Sequence, residues 1–145
     1  MQTQLVTVLV VEDDLVDFQA IERAFEKKRI LNPNLMARDG IEALDMLRQV
    51  PGKGAIEKPY VILLDLNMPR MGGHEFLKEL RADENLKDAV VFVLTTSRDE
   101  EDIFKAYELN VAGYMLKSEV GDRFQKVTDL FEIYWQAVVL PRRDT

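Results

Sequence analysis

The chain has 145 residues, 47% of them hydrophobic, and a formal net charge of −7. The length suits one domain with a sizeable core, and the acidic balance argues against nonspecific nucleic-acid binding. No apolar run is long enough to span a membrane, no charged-then-apolar signal segment opens the chain, and the absence of cysteine excludes disulfide and thiol chemistry, as suits a cytoplasmic protein.

The first predicted strand, residues 5–11, is fully apolar from Val8 to Val11 and runs straight into Glu12, Asp13 and Asp14. Adjacent carboxylates at a strand end repel and raise one another's pKa. A hard cation held by oxygen removes that conflict, and Mg²⁺ takes only one or two carboxylates while keeping several waters. Asp14 alone reads as the N-cap of a helix over 15–29. A strand at 33–38 and a helix at 40–49 follow, separated by Asp39-Gly40. Residues 50–59, with PGKGAIEKP at their heart, read as a mobile surface excursion.

The third strand, 60–65, is the most informative stretch. Val61-Ile62-Leu63-Leu64 ends abruptly in Asp65, with Pro69 four residues later. Such a run reads as a strand buried on both faces, and Asp65 then sits at the carboxyl edge where open α/β sheets place their sites. A carboxylate there is costly unless paired or bound to a cation. Met71-Gly72-Gly73 introduces a helix at 74–82. A strand at 90–95 ends in the hydroxyl of Thr95, a helix spans 99–109, a strand at 112–116 ends at Lys117, and a last helix covers 121–138. Strand–helix alternation of this kind predicts an α/β fold with a doubly wound, five-stranded parallel sheet. Four strands then bring acids, an acid, a hydroxyl and an ammonium to one edge. One divalent cation plus Lys117 balances Glu12, Asp13 and Asp65 until a phosphoryl group arrives.

From about residue 6 to 137 this pattern resembles the receiver domain of bacterial response regulators. The resemblance rests on Glu12-Asp13, on Asp65 in DLNMP, on Met71-Gly72-Gly73, on Thr95, and on Lys117 preceded by Gly113-Tyr114. It implies a flavodoxin-like strand order of 2-1-3-4-5 and a single receiver domain over 1–145 with a short tail at 138–145. Asp65 is then the phosphoacceptor of a sensor histidine kinase. Asp13, Asp65 and the Asn67 backbone carbonyl bind Mg²⁺, with Glu12 acting through water, and Thr95 and Tyr114 are switch residues. The chemistry suits these residue types, because phosphoryl transfer is largely positioning plus neutralisation of charge. Lys117 pairs with Asp65 at rest and with a phosphoryl oxygen afterwards. Ser97 and Asn67 are placed to tune water access. Receivers usually carry a cis-proline after the lysine. Here Ser118 follows, and a cis bond before a non-proline costs about 2.5–4 kcal/mol, so this loop is expected to take its own course.

Phe124, Val127, Phe131, Tyr134 and Val138 recur at helical spacing and form the stripe expected to pack on the sheet. Leu130, Ile133 and Trp135 are left over and, with Phe104 and Tyr107, predict an apolar interface. In the family this implies a homodimer through helix four, strand five and helix five. Asp102-Ile103-Phe104, Lys117-Ser118 and the stretch from Trp135 to Leu140-Pro141 look like response regulators paired with bacterial phytochromes, which makes a red/far-red photoreceptor kinase the implied partner. His74 reads as a surface or helix-start residue, and Met36, Met46, Met68 and Met71 as fillers.

Three other functions fit less well. A flavodoxin-type carrier needs a glycine- and hydroxyl-rich phosphate loop where Glu12-Asp13-Asp14 stands. A haloacid-dehalogenase-type phosphatase needs an acid at Asn67. A phosphorylation-independent, receiver-like interaction module would usually lack one of the acids, the hydroxyl or the lysine. The expectation is a signalling domain that catalyses only its own phosphorylation and dephosphorylation.

Overall fold

The computed structural model describes residues 5–121 and 124–141. Its elements in chain order are β1 (Thr7–Val11), α1 (Leu15–Lys27), β2 (Asn34–Ala37), α2 (Gly40–Leu47), β3 (Tyr60–Leu64), α3 (Gly73–Ala82), β4 (Val90–Thr95), α4 (Glu100–Glu108), β5 (Gly113–Leu116) and α5 (Gln125–Ala137). The strands pair in parallel in the order β2-β1-β3-β4-β5, as the family resemblance implied. Elements end within a few residues of their predicted bounds. For the last helix, residues 122 and 123 of the predicted span lie outside the described residues, as do 142–145 of the tail.

Strand periodicity builds two cores. Leu9, Val11, Ile62, Leu64, Val91 and Val93 point to one face and pack with Leu44 and Leu47 of α2, Phe76, Leu77 and Leu80 of α3, and Ala106 of α4. The alternate residues Val8, Val10, Val61, Leu63, Phe92 and Leu94 meet Phe18, Ile21 and Phe25 of α1 and Val127 and Phe131 of α5. Both faces of β1, β3 and β4 are therefore covered, which is why those strands read as unbroken apolar runs. Among the described residues no helix is long and apolar enough to cross a membrane.

Two expectations are corrected. The loop at 50–59 is not a free excursion, because Ile56 is 3% exposed and belongs to the core. Its N–H donates to the Met46 carbonyl at 3.1 Å, and its carbonyl accepts from Gln49 Nε2 at 3.0 Å. Val138 does not pack on the sheet. It follows α5 in extended backbone and is exposed, while Leu140 turns back into the core.

Candidate functional site

Backbone register assembles the site. Val11 pairs with Leu64, and Thr95 with Leu116, so Glu12, Asp65, Thr95 and Lys117 gather at one sheet edge. The ladder continues one step further and pins each of the ionisable residues. Glu12 N–H donates to the Ala37 carbonyl at 2.8 Å, Asp65 N–H to Val11 at 3.0 Å, and Lys117 N–H to Thr95 at 2.9 Å.

Asp65, Glu12 and Thr95 are buried, while Asp13 lies at the open rim. The Thr95 hydroxyl donates to Asp65 Oδ1 at 2.8 Å, and the Asn67 N–H donates to the same oxygen at 3.1 Å. Lys117 Nζ donates to Asp65 Oδ2 at 3.2 Å. Its shorter contacts, 2.7 Å each, go to Glu12 Oε1 and Asp17 Oδ2. Asp17, in the first turn of α1, is a site residue that the sequence reading missed. Asp14 is the N-cap expected of it, accepting from Val16 N at 2.9 Å and Asp17 N at 3.3 Å.

Burial pushes the Glu12 carboxyl up to about 7, with the charge of Asp65 adding and the Lys117 ammonium opposing. Burial also disfavours the Lys117 charge, but hydrogen bonds to Asp17 and Glu12 outweigh it and hold the ammonium above its ordinary value. One carboxylate oxygen from each of Glu12, Asp13 and Asp65 lies within 4.8 Å of the others. Hard oxygen donors converging beside an open rim fit a cation of the Mg²⁺ or Mn²⁺ kind, which retains waters. Affinity for such a cation is expected to fall below pH about 7, as Glu12 takes up a proton and the cluster loses negative charge. Calorimetric Mg²⁺ titration across that range should show the decline, and Glu12→Gln should flatten it. In the metal-free fold, stability contributed by this group is complete below its unfolded value of 4.5 and is lost as pH rises through about 7.

The loops beside the acceptor are tied together. Tyr114 Oη donates to the Ser97 carbonyl at 2.9 Å, and Ser97 Oγ donates to Asp102 Oδ2 at 2.6 Å. Ser97 is thus engaged with α4 rather than with Asp65. His74, in the first turn of α3, meets Asp102 Oδ1 at 3.2 Å. The Ser97 hydroxyl, followed by His74, holds the Asp102 carboxyl below its usual range. Among the described residues the cis peptide bond is Lys58–Pro59, so Lys117–Ser118 is trans. Ser118 Oγ accepts from Arg98 Nη2 at 2.9 Å, a bond that proline could not make. Gly73 is needed for packing, since a Cβ there would lie 2.6 Å from Leu66 Cα and 3.0 Å from the Asp65 carbonyl oxygen.

Of the apolar residues assigned to an interface, Phe104, Tyr107, Leu130 and Ile133 are exposed. Trp135 is only half-buried surface, because its ring stacks on Phe131 at 5.1 Å.

A parallel sheet of order 2-1-3-4-5 with acids after β1 and β3, a hydroxyl after β4 and a lysine after β5 is the arrangement that the resemblance to receiver domains implied. Residues 8–129 match the response regulator receiver domain, and the chain belongs to that family. It is 35% identical over 135 residues to response regulator Rcp1 of Synechocystis sp., covering 92% of both chains. It is 33% identical over 125 residues to chemotaxis protein CheY-3 of Vibrio cholerae, covering 86% of this chain and 91% of that one. Among solved structures, the phosphorylated cyanobacterial phytochrome response regulator RcpA superposes with a TM-score of 0.84 at 34% identity, covering 95% of this chain and 99% of that one. The Mn²⁺-bound form of Rcp1 gives 0.82 at 34%, covering 94% and 99%.

Proposed function

We propose that this chain is a cytoplasmic response regulator receiver domain in which Asp65 accepts a phosphoryl group from a sensor histidine kinase. The observation that carries this reading is Asp65 itself. It is buried at the sheet edge, and its two oxygens are held by the Thr95 hydroxyl and the Lys117 ammonium. An Asp65 oxygen attacks phosphorus, the bond from phosphorus to the kinase's histidine nitrogen breaks, and the nitrogen leaves with the electron pair. The product is an acyl phosphate on Asp65. Glu12, Asp13, Asp65 and the Asn67 carbonyl would hold Mg²⁺, whose chemistry when bound is to neutralise charge between carboxylate and phosphoryl group. Lys117 neutralises a phosphoryl oxygen as charge spreads over the group.

Thr95 then leaves Asp65 Oδ1 and donates to the phosphoryl group. That draws in the segment after β4, to which Tyr114 is already bound through Ser97. The readout is a protein surface on α4, β5 and α5, where exposed Phe104, Tyr107, Leu130 and Ile133 would pair with a second copy as a homodimer. Similarity to RcpA supports a phytochrome kinase as partner. Labelled phosphoryl transfer from such a kinase tests the assignment. Transfer should require a divalent cation and outpace transfer from unrelated histidine kinases, and equal rates from both would sink the phytochrome partner.

A further inference from the structure

Lys117 is saturated at rest. An ammonium has three N–H donors, and its contacts to Glu12 Oε1, Asp17 Oδ2 and Asp65 Oδ2 occupy all three, at 2.7, 2.7 and 3.2 Å. A phosphoryl oxygen can take a hydrogen bond from Lys117 only if one carboxylate lets go.

The three acceptors are not equally able to do so. Glu12 has a side chain only 3% exposed, and its second oxygen accepts from the Asp14 N–H at 3.2 Å, so release would strand a buried carboxylate. Asp65 is itself the reacting group. Asp17 has a side chain 29% exposed in the first turn of α1, where water and the helix N-terminus can take over its solvation. Its two oxygens carry no reacting bond.

We propose that Asp17 is a positioning residue of the phosphoryl-transfer site: it is the releasable acceptor that holds Lys117 at rest and surrenders it to the phosphoryl group. This rests on Asp65 being the phosphoacceptor. Asp17 therefore opposes the phosphorylated form, because Lys117 in turning to a phosphoryl oxygen gives up its contact to α1. It also links the first turn of α1 to the state of Asp65, through a residue pair 100 positions apart.

Two measurements on the full chain test it. In the metal-free protein, the Lys117 ammonium ¹⁵N resonance, assigned by its loss in Lys117→Arg, should move in Asp17→Asn and stay in place in Asp17→Glu. With phosphoramidate and Mg²⁺, followed by intact mass, Asp17→Asn should form the Asp65 adduct about three- to tenfold faster and lose it more slowly, the size expected for one partly exposed charged hydrogen bond. Asp17→Glu should restore wild-type rates, and in a Lys117→Ala background Asp17→Asn should change nothing. An unmoved resonance, a rate no higher than wild type, or the same gain without Lys117 overturns the assignment of Asp17 alone. A wild-type protein that takes no adduct overturns the acceptor reading, and this with it.

Discussion

Lys117→Ala is expected to slow formation of the Asp65 adduct by about 10²–10³-fold, the usual cost of removing one donor aimed at developing charge. The loss is large because Lys117 pairs directly with Asp65 at 3.2 Å, and its side chain is only 12% exposed. Without it, a phosphoryl group would meet the carboxylates of Glu12, Asp13 and Asp65 with no ammonium to offset them. Lys117→Arg should recover little, since a planar fork cannot occupy a pocket in which one compact ammonium meets three carboxylates. A single-turnover series with a small phosphodonor measures both variants, and an alanine rate within a few-fold of wild type would remove Lys117 from the chemistry.

Phe131→Ala should destabilise the fold by about 3–5 kcal/mol, as expected for an aromatic side chain deleted from a close-packed core. Phe131 is fully buried and its ring meets Phe92 at 5.5 Å, Phe25 at 6.0 Å and Tyr134 at 6.4 Å, with Trp135 stacked against it. This cluster fastens α5 to the sheet and to α1. Urea unfolding followed by Trp135 emission gives the stability directly. The folded-state emission of the variant should shift to the red as the stacked face of the indole loses its cover. A change below about 1 kcal/mol would mean that the aromatic cluster collapses onto the space without loss.

The strands and most of the site were legible because both obey short-range rules. Buried parallel strands leave unbroken apolar runs, and Asp65, Thr95 and Lys117 stand directly at their ends, where register alone decides what meets. Asp17 was not legible. Its partner is on β5's far end, and only the placement of α1 against that edge brings them to 2.7 Å. A faint signal existed in Asp14-Val16-Asp17, since a capping acid followed three residues later by another puts the second on the first turn, beside the site. Ile56 was hidden for a related reason. Val50, Ala55 and Ile56 in a glycine-, proline- and lysine-rich loop show no periodicity, and tertiary packing alone decides that Ile56 finds the core. The chain from His74 through Asp102 to Ser97 joins three elements and depends on how α3 and α4 sit together. Trp135 looked like spare surface on a helical wheel, but stacking on Phe131 recovers half of it.

Intact mass after incubation with Mg²⁺ and phosphoramidate, for the wild type beside Asp65→Asn, tests the central claim most directly. One phosphoryl adduct that needs Mg²⁺ and vanishes in the variant is the predicted result. An adduct that persists in Asp65→Asn, or none on the wild type where an established receiver is modified, would contradict Asp65 as the acceptor.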